Sequence, residues 1–181
     1  NDQYKRIHQE DFCQALGIVS ERKYQREGGP SLKDCFKLIR EISNTPLIDL
    51  QGLLDSVIYN YVVGNHDAHG KNFSLLYEPN EQSGEIKVRM APLYDIICTD
   101  YYPELDKHLA MEIGGKYISS EIQSKHFEKF AEETGLTKRL VKQRVREIAS
   151  LIIENIDKAT PNHQIAKEIS NLIKKKKKMA L

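Results

Sequence analysis

The strongest structural signal in this sequence is a long apolar segment from Pro46 to Val63, which is followed at once by Gly64. Its apolar residues recur at helical spacing and cover a face wider than a surface helix needs. These positions are Leu47, Leu50, Leu54, Val57, Ile58, Tyr61 and Val62. The pattern predicts a buried helix at the centre of the domain, and the glycine predicts its end.

Further elements are indicated on the N-terminal side of this segment. A short helix is predicted from His8 to Leu16, and a second helix, capped by Ser31, runs to about Ile42. The residues between them, Lys23–Pro30, include two adjacent glycines and a proline. That composition predicts a loop.

A β-hairpin and a helical region are predicted after the central helix. The strands are Phe73–Tyr77 and Glu85–Met90, joined by a polar turn, and a mostly irregular stretch follows from Ala91 to about Ser119. Three helices complete the chain: Glu121–Thr134, Thr137–Asp157 and a last one from Pro161 into the C-terminal lysines, with breaks at Gly135 and Thr160–Pro161. The fold class predicted is mainly α with one β-hairpin, arranged as a helical bundle.

One of the C-terminal helices allows a packing prediction. Its apolar residues from Leu140 to Ile156 continue at core spacing, so we expect this stripe to be buried against the central helix. The charged residues Lys138, Lys142 and Arg146 should lie on the solvated face.

The composition excludes several classes of protein. Hydrophobic residues make up 40% and charged residues 29%, as in ordinary globular domains, and the net charge of +1 does not by itself argue for nucleic-acid binding. A run of five lysines, Lys174–Lys178, is typical of a solvated tail. Cys13, Cys35 and Cys98 lack the spacing of a disulfide framework or a zinc site, which suits the cytoplasm. No apolar run has membrane-spanning length, and Asn1–Arg6 does not resemble a signal peptide.

The residues that point to chemistry lie just beyond the central helix. Gly64–Asn72 reads G-N-H-D-A-H-G-K-N, and Ala91–Asp95 reads A-P-L-Y-D after the hairpin. Because a hairpin returns its second strand beside its first, Asp95 can come back to Asn72. We expect their side-chain oxygens roughly 4–5 Å apart, within reach of one Mg²⁺. Phosphoryl transfer requires such a set, with one carboxylate, here Asp67, as proton acceptor and hard oxygens as metal ligands. The spacing from Asp67 to Asn72 matches the H-R-D-x-x-x-x-N of protein kinases, with Tyr-Asp-Ile in place of Asp-Phe-Gly.

These two segments resemble the catalytic and metal-binding motifs of the HipA family, the serine/threonine kinase toxins of bacterial toxin–antitoxin modules. His8–Gly17, Lys23-Tyr24 and Gly28-Gly29-Pro30 are similar to the family segment after the inter-lobe hinge, so the resemblance covers most of residues 4–118. It implies a protein-kinase-like C-terminal lobe, with 1–118 as the motif-bearing part, 119–173 as a helical extension and 174–181 as a basic tail.

The resemblance also implies roles for individual residues. Asp67 would be the catalytic base, Asn72 and Asp95 would bind Mg²⁺, and the residues lining ATP would include His69, Gly70, Lys71 and Tyr94. The acceptor would be a protein, a tRNA synthetase in the best-known case, and the partner a DNA-binding antitoxin. The family's phosphate loop, its lysine and the adenine-binding hinge belong to an N-terminal lobe that would precede Asn1. The chain also starts without methionine, which favours a fragment or a processed product, so we expect a folded but catalytically silent C-lobe.

Other interpretations stay open at this point. Asp67 and Asn72 could simply tie a loop. Gly64–Asp67 also matches the G-N-H-D motif of metallophosphoesterases, whose other motifs this sequence lacks, and His66, Asp67 and His69 could form a transition-metal site. A non-catalytic helical DNA-binding or antitoxin-interaction module is a further alternative, suggested by a helix-turn-helix-like stretch at 134–145 and by the lysine run. Salt-sensitive retention on DNA would favour it over the kinase interpretation.

Overall fold

Helices surround one central helix in the computed structural model of the chain. The structure describes residues 6–80, 83–159 and 163–180, and for residues 176–180 it describes the backbone only. The helices are α1 (Phe12–Ala15), α2 (Leu32–Ile42), α3 (Pro46–Val63), α4 (Ser124–Thr134), α5 (Lys138–Ala159) and α6 (Gln164–Ala180). The strands are β1 (His8–Asp11), β2 (Ser74–Pro79), β3 (Ile86–Met90), β4 (His108–Ile113) and β5 (Lys116–Ile118). The mainly helical class expected from the sequence is confirmed.

The central helix α3 has the bounds that its apolar pattern predicts. It begins with Pro46 in the first turn, where the missing N–H costs nothing, and it ends at Gly64, which has a left-handed φ of 79°. Leu53, Leu54 and Ile58 are fully buried within it. Helices α2, α5 and α6 pack around it, so α3 forms the axis of the domain.

The capping chemistry of α2 agrees with the sequence prediction. The Ser31 hydroxyl accepts a hydrogen bond from the Asp34 N–H at 3.2 Å, while the Asp34 carboxylate accepts from the Ser31 N–H at 3.0 Å. This reciprocal pair satisfies two of the donors that a helix start leaves unpaired. The buried face of α2 then places Phe36 edge-on against Phe130 of α4, with ring centroids 5.7 Å apart.

The predicted hairpin is part of a three-stranded antiparallel sheet. Strand β2 pairs with β3 as expected, and it also pairs with β1 on its other edge. The helix predicted over His8–Leu16 is therefore wrong in its first half, since His8–Asp11 is extended and only Phe12–Ala15 is helical. The reason is pairing with a strand far along the chain, while Asp11 caps the short helix that follows.

A second hairpin lies in the stretch that was predicted to be irregular. Strands β4 and β5 pair across Gly114 and Gly115, which have left-handed φ values of 57° and 84°. The adjacent glycines supply the turn, because such φ values are easily adopted only by glycine. Leu109 and Met111 of β4 are buried, so this hairpin closes the core on the side of α4.

The C-terminal helices follow the predicted order with small changes in their bounds. The stripe on α5 is buried at Val141, Val145, Ile148, Ala149 and Ile156, whereas Leu140 and Leu151 are 38% and 54% exposed. Arg144 on the same helix donates two hydrogen bonds to the Asp55 carboxylate of α3, at 2.9 and 2.7 Å, which fixes the two helices in register.

The helix-turn-helix-like stretch at the α4–α5 junction is held by ion pairs within the domain. Lys138 lies 2.6 Å from Glu132, and Lys142 is paired with Glu128 of α4 rather than fully solvated. Arg146 is exposed as expected. These ion pairs show that the α4–α5 junction is packed as part of the helical domain.

The lysine run that was predicted to be a solvated tail continues α6. Lys174 forms an ion pair with Asp157 of α5 at 2.5 Å. The break predicted at Thr160–Pro161 lies outside the described residues, as do the side chains of Lys176, Lys177 and Lys178. None of the described helices combines the length and the apolar run needed to cross a bilayer.

The packing of α3 predicts a strong contrast between two of its isoleucines. Ile58 is fully buried, whereas Ile48 is 71% exposed on the same helix. Ile58→Ala should lower the free energy of unfolding by about 2–5 kcal/mol through a cavity in the core, and Ile48→Ala should change it by less than about 0.5 kcal/mol. Urea titration followed by circular dichroism measures both. Equal effects would show that α3 is not the buried axis.

Candidate active site

The candidate active-site loop, Gly64–Asn72, begins at the end of α3 with a closely packed turn. Gly64 adopts its left-handed conformation where a Cβ would lie 2.7 Å from a carboxylate oxygen of Asp100. The Asn65 N–H donates to the Asn60 carbonyl at 2.9 Å, which continues the end of the helix into the loop. The direction of the loop is therefore set by the buried helix, and a side chain at position 64 would disturb it.

Asn65 joins the loop to the segment that carries Asp95. Its amide nitrogen donates to Asn60 Oδ1 at 2.8 Å and to the Asp95 carbonyl at 3.3 Å, while its amide oxygen accepts from the Asp67 N–H at 3.1 Å. Asn65 is buried, so these hydrogen bonds are made away from water. One side chain thus places Asp67 and Asp95 relative to the end of α3.

His66 and Thr99 form a second connection between the same two segments. The Thr99 hydroxyl accepts from the His66 N–H at 2.8 Å and donates to the Gly64 carbonyl at 3.0 Å. The buried His66 ring directs Nε2 toward Asp100 Oδ1 and Ser119 Oγ, each at 3.2 Å. The His66 ring is therefore held inside the domain by Asp100 and Ser119.

Asn72 and Asp95 meet as the loop–hairpin order predicts. Asn72 Nδ2 donates to Asp95 Oδ2 at 2.7 Å, and Asn72 Oδ1 accepts from the His69 N–H at 2.9 Å. Asp95 is exposed and has a left-handed φ of 56°, the one positive φ outside glycine in the described part of the chain. Backbone strain of this kind is often retained at functional sites.

The donor atoms here fit a magnesium ion better than a transition metal. The Asp95 carboxylate and Asn72 Oδ1 are hard oxygens, and Oδ1 keeps a second lone pair beside the one used by His69. Mg²⁺ in kinases takes only one or two protein ligands and completes its shell with water and phosphate oxygens. Within residues 6–80, 83–159 and 163–180, no group of three or more His, Cys, Asp and Glu is placed to hold a metal. The His66–Asp67–His69 metal site is therefore not formed there.

Asp67 lies at a cleft with one carboxylate oxygen already hydrogen bonded. The Tyr24 hydroxyl donates to Oδ1 at 2.7 Å, and Oδ2 is 4.0 Å from His69 Nε2. The side chain is 38% exposed. It lines a cleft of about 380 Å³ together with Tyr24, and an Arg26–Asp106 ion pair of 3.2 Å lies on the cleft wall. This carboxylate can reach a group that enters from solvent.

His69 is held against the wall of this site as a neutral ring. It is buried, and its ring meets the Tyr24 ring edge-on with centroids 5.4 Å apart. Burial lowers the pKa of His69 below its usual value, and the positive charge of Lys23 lowers it further, while Asp67 partly opposes both. The imidazole therefore stays uncharged at neutral pH and offers a hydrogen bond rather than a charge.

Lys71 and Tyr94 also lie at this loop, and both make contacts within the protein. The Tyr94 hydroxyl donates to the Lys71 carbonyl at 2.7 Å and lies 2.5 Å from Ser74 Oγ. Lys71 Nζ donates to Ser20 Oγ at 3.1 Å. Tyr94 thus ties the Asp95 segment to the loop, and its hydroxyl faces the protein.

Gly70 is packed beneath another loop. A Cβ at this position would overlap Pro30 Cγ and lie 2.8 Å from Cys13 Sγ. The predicted nucleotide-lining residues are thus close neighbours, but Gly70 faces the Lys23–Pro30 loop. No role was predicted for Tyr24, Asn65 and Thr99 from the sequence, although Tyr24 and Asn65 lie within segments that resemble the family motifs.

Comparisons with known proteins identify relatives over most of the chain. The family model of the HipA-like C-terminal domain matches residues 1–159. A kinase-like protein of Sinorhizobium fredii, Y4mE, is 46% identical over 83% of this chain and 34% of its own length. The serine/threonine-protein kinase toxin HipA of Shewanella oneidensis is 31% identical over 83% of this chain and 36% of its own length.

Solved structures give the same relationship. A chain in the complex of HipA, HipB and operator DNA from Shewanella oneidensis MR-1 matches this chain with a TM-score of 0.80 at 26% identity. The match covers 94% of this chain and 42% of the other. The present chain thus spans about a third of the length of the curated relatives it matches.

The packing of Gly70 predicts a sensitive position in the loop. Gly70→Ala should reduce the free energy of unfolding by about 1–3 kcal/mol, because the added methyl group overlaps Pro30. Gly52→Ala is the matched control: it lies on α3 with nothing within 4 Å of an added Cβ, and it should be stabilising by about 0.5–1 kcal/mol. Urea titration of both variants decides this, and a Gly70→Ala protein as stable as the Gly52→Ala protein would refute the contact.

Proposed function

The chain belongs to the HipA-like C-terminal domain family, and on that premise we propose that it supplies the catalytic loop of a two-lobed serine/threonine protein kinase. The reaction is transfer of the γ-phosphate of ATP to a hydroxyl of a protein, as in the toxin component of a toxin–antitoxin module. The observation that carries the proposal is the 2.7 Å hydrogen bond from Asn72 to Asp95, because Asn72 lies on the same loop as Asp67, which lines a cleft.

Asp67 takes the role of general base. Its carboxylate accepts the proton of the serine or threonine hydroxyl as the oxygen of that hydroxyl bonds to the γ-phosphorus. The bond from the γ-phosphorus to the bridging oxygen breaks at the same time, and ADP leaves with that electron pair. The exposure of Asp67 at the cleft supports this role, since an acceptor hydroxyl must approach within hydrogen-bond distance.

Asn72 and Asp95 would hold Mg²⁺ through their side-chain oxygens. The ion would neutralise part of the phosphate charge. His69, Gly70, Lys71 and Tyr94 are proposed to form the nucleotide side of the site, partly through the backbone of the loop, because Gly70 and the Tyr94 hydroxyl are engaged inside the protein. The buried connections of Asn65 and Thr99 would keep the two metal ligands in place as ATP binds.

The rest of the kinase is assigned to a lobe that precedes this region. The relatives are about three times as long as the matched segment, which leaves room for the lobe that grips the phosphates and adenine. Within the present chain we assign residues 1–118 to the chemistry, 119–173 to a helical support and 174–181 to a basic tail. With ATP as phosphate donor, we place the reaction in the cytoplasm.

A DNA-binding antitoxin is the proposed partner of the two-lobed protein. The support is the structural match to a complex that contains HipA, HipB and operator DNA. Contact with DNA would then come mainly through the antitoxin, because two of the lysines at the helix-turn-helix-like junction are paired with glutamates of α4. A protein, such as a tRNA synthetase, is the proposed phosphate acceptor.

Replacing the proposed base should abolish phosphoryl transfer. In a two-lobed protein that joins this chain to the N-terminal lobe of its relatives, Asp67→Asn should lower the rate by at least about 100-fold, the usual contribution of a general base. Asp157→Asn, the same chemical change on α5, should leave the rate unchanged. Radiolabel transfer from ATP to a protein acceptor measures both. Undiminished transfer by the Asp67→Asn protein would end the kinase proposal.

The isolated chain should bind Mg-ATP only weakly. Without the N-terminal lobe, the Asp95 carboxylate is exposed to solvent, where charge interactions are far weaker than in a closed cleft. We expect a dissociation constant above about 1 mM for the chain alone, that is, a binding free energy weaker than about −4 kcal/mol. Titration calorimetry of the chain and of the two-lobed form, each with and without EDTA, makes the comparison. Rapid ATP turnover by the chain alone would contradict the assignment.

A further inference from the structure

The loop Lys23–Pro30 holds Tyr24 in a fixed position, and the reaction proposed above assigns no role to this tyrosine. The Tyr24 carbonyl accepts hydrogen bonds from the N–H groups of Glu27 and Gly29, each at 2.9 Å. A Cβ on Gly29 would lie 2.7 Å from that carbonyl oxygen, so the loop closes this tightly only with glycine there. Gln25 extends the anchoring, because its side-chain oxygen accepts from the Glu112 N–H of β4 at 3.0 Å.

The same loop touches the catalytic loop at two further points. Pro30 occupies the space beside Gly70, and the Tyr24 ring packs edge-on against His69. Pro30 is fully buried. The loop that carries Tyr24 is therefore packed directly against the catalytic loop. These contacts limit how far the two loops can move apart.

The Tyr24 hydroxyl meets Asp67 in a way that leaves one carboxylate oxygen for chemistry. It donates to Oδ1 at 2.7 Å, while no residue in the described part of the chain donates a hydrogen bond to Oδ2. Burial, with a further contribution from this hydrogen bond, raises the pKa of Tyr24 to about 12. The hydroxyl therefore keeps its proton at physiological pH and remains a donor.

The geometry points to Tyr24 as a positioning residue for phosphoryl transfer, an inference that rests on the proposed function. Its hydroxyl holds Oδ1 of Asp67, and Oδ2 is left to accept the proton of the protein hydroxyl that is phosphorylated. Without that hydrogen bond the carboxylate can rotate about its side-chain torsions, and misplacement of a catalytic group by a fraction of an ångström slows the reaction. Tyr24 does not take part in proton transfer itself.

The test is Tyr24→Phe in the two-lobed protein, which keeps the ring against His69 and removes only the hydroxyl. We expect kcat to fall about 10- to 100-fold, the range for losing one hydrogen bond to a charged group, while the KM for ATP and the melting temperature stay close to those of the wild type. Tyr77→Phe is the matched control, because Tyr77 donates a similar hydrogen bond, 2.5 Å long, to Glu10 in the sheet. Its kcat should equal that of the wild type.

A double variant separates positioning from a general structural effect. If Tyr24 acts through Asp67, adding Tyr24→Phe to Asp67→Asn should cause no further loss of residual transfer, since residues that act as a unit are not additive. A wild-type kcat for Tyr24→Phe, a matching loss in Tyr77→Phe, or a fully additive double variant would each overturn the inference. These outcomes are distinct from failure of the kinase proposal, which would appear as undiminished transfer by Asp67→Asn alone.

Discussion

Burial of α3 on most of its surface is the constraint on which the rest of this structure depends. A helix with so broad an apolar face has to be covered, and α2, α5 and α6 cover it. The helix cannot shift along its axis without opening the core, so its C-terminal end is a fixed point. Gly64 turns the chain there, and the polar loop that follows inherits its position from the packing of the helix.

The candidate site is held mainly by hydrogen bonds between side chains and backbone. Asn65 and Thr99 each contact both the loop after α3 and the segment after the hairpin, and both are buried. A buried polar group that loses its partner costs about 1–3 kcal/mol, so these connections resist separation of the two segments. That resistance is what the proposed pair of metal ligands, Asn72 and Asp95, would need, because they come from separate parts of the chain.

The helices were predictable because their signals are local. The α3 pattern and the Ser31 cap lie within a few turns of the structure they specify, and the predicted bounds of α3 agree with the structure. One element that was wrongly predicted depends on a distant partner. His8–Asp11 is extended because it pairs with β2 more than sixty residues away. The β4–β5 hairpin was not predicted, although Gly114 and Gly115 are a local turn signal, because β5 has only three residues and its pairing with β4 is irregular.

The sequence by itself determined that Asp67, Asn72 and Asp95 follow the central helix in the order of two protein-kinase motifs, the catalytic loop and the metal-binding segment after the hairpin. Spacing along the chain carries that information, since the loop and hairpin are short enough to bring these residues together. Only the tertiary structure decided that Tyr24 hydrogen bonds to Asp67, that His66 points inward to Asp100, and that Pro30 covers Gly70. Those contacts join residues far apart in sequence, and packing of separate segments against one core, rather than any local pattern, sets which side chains meet.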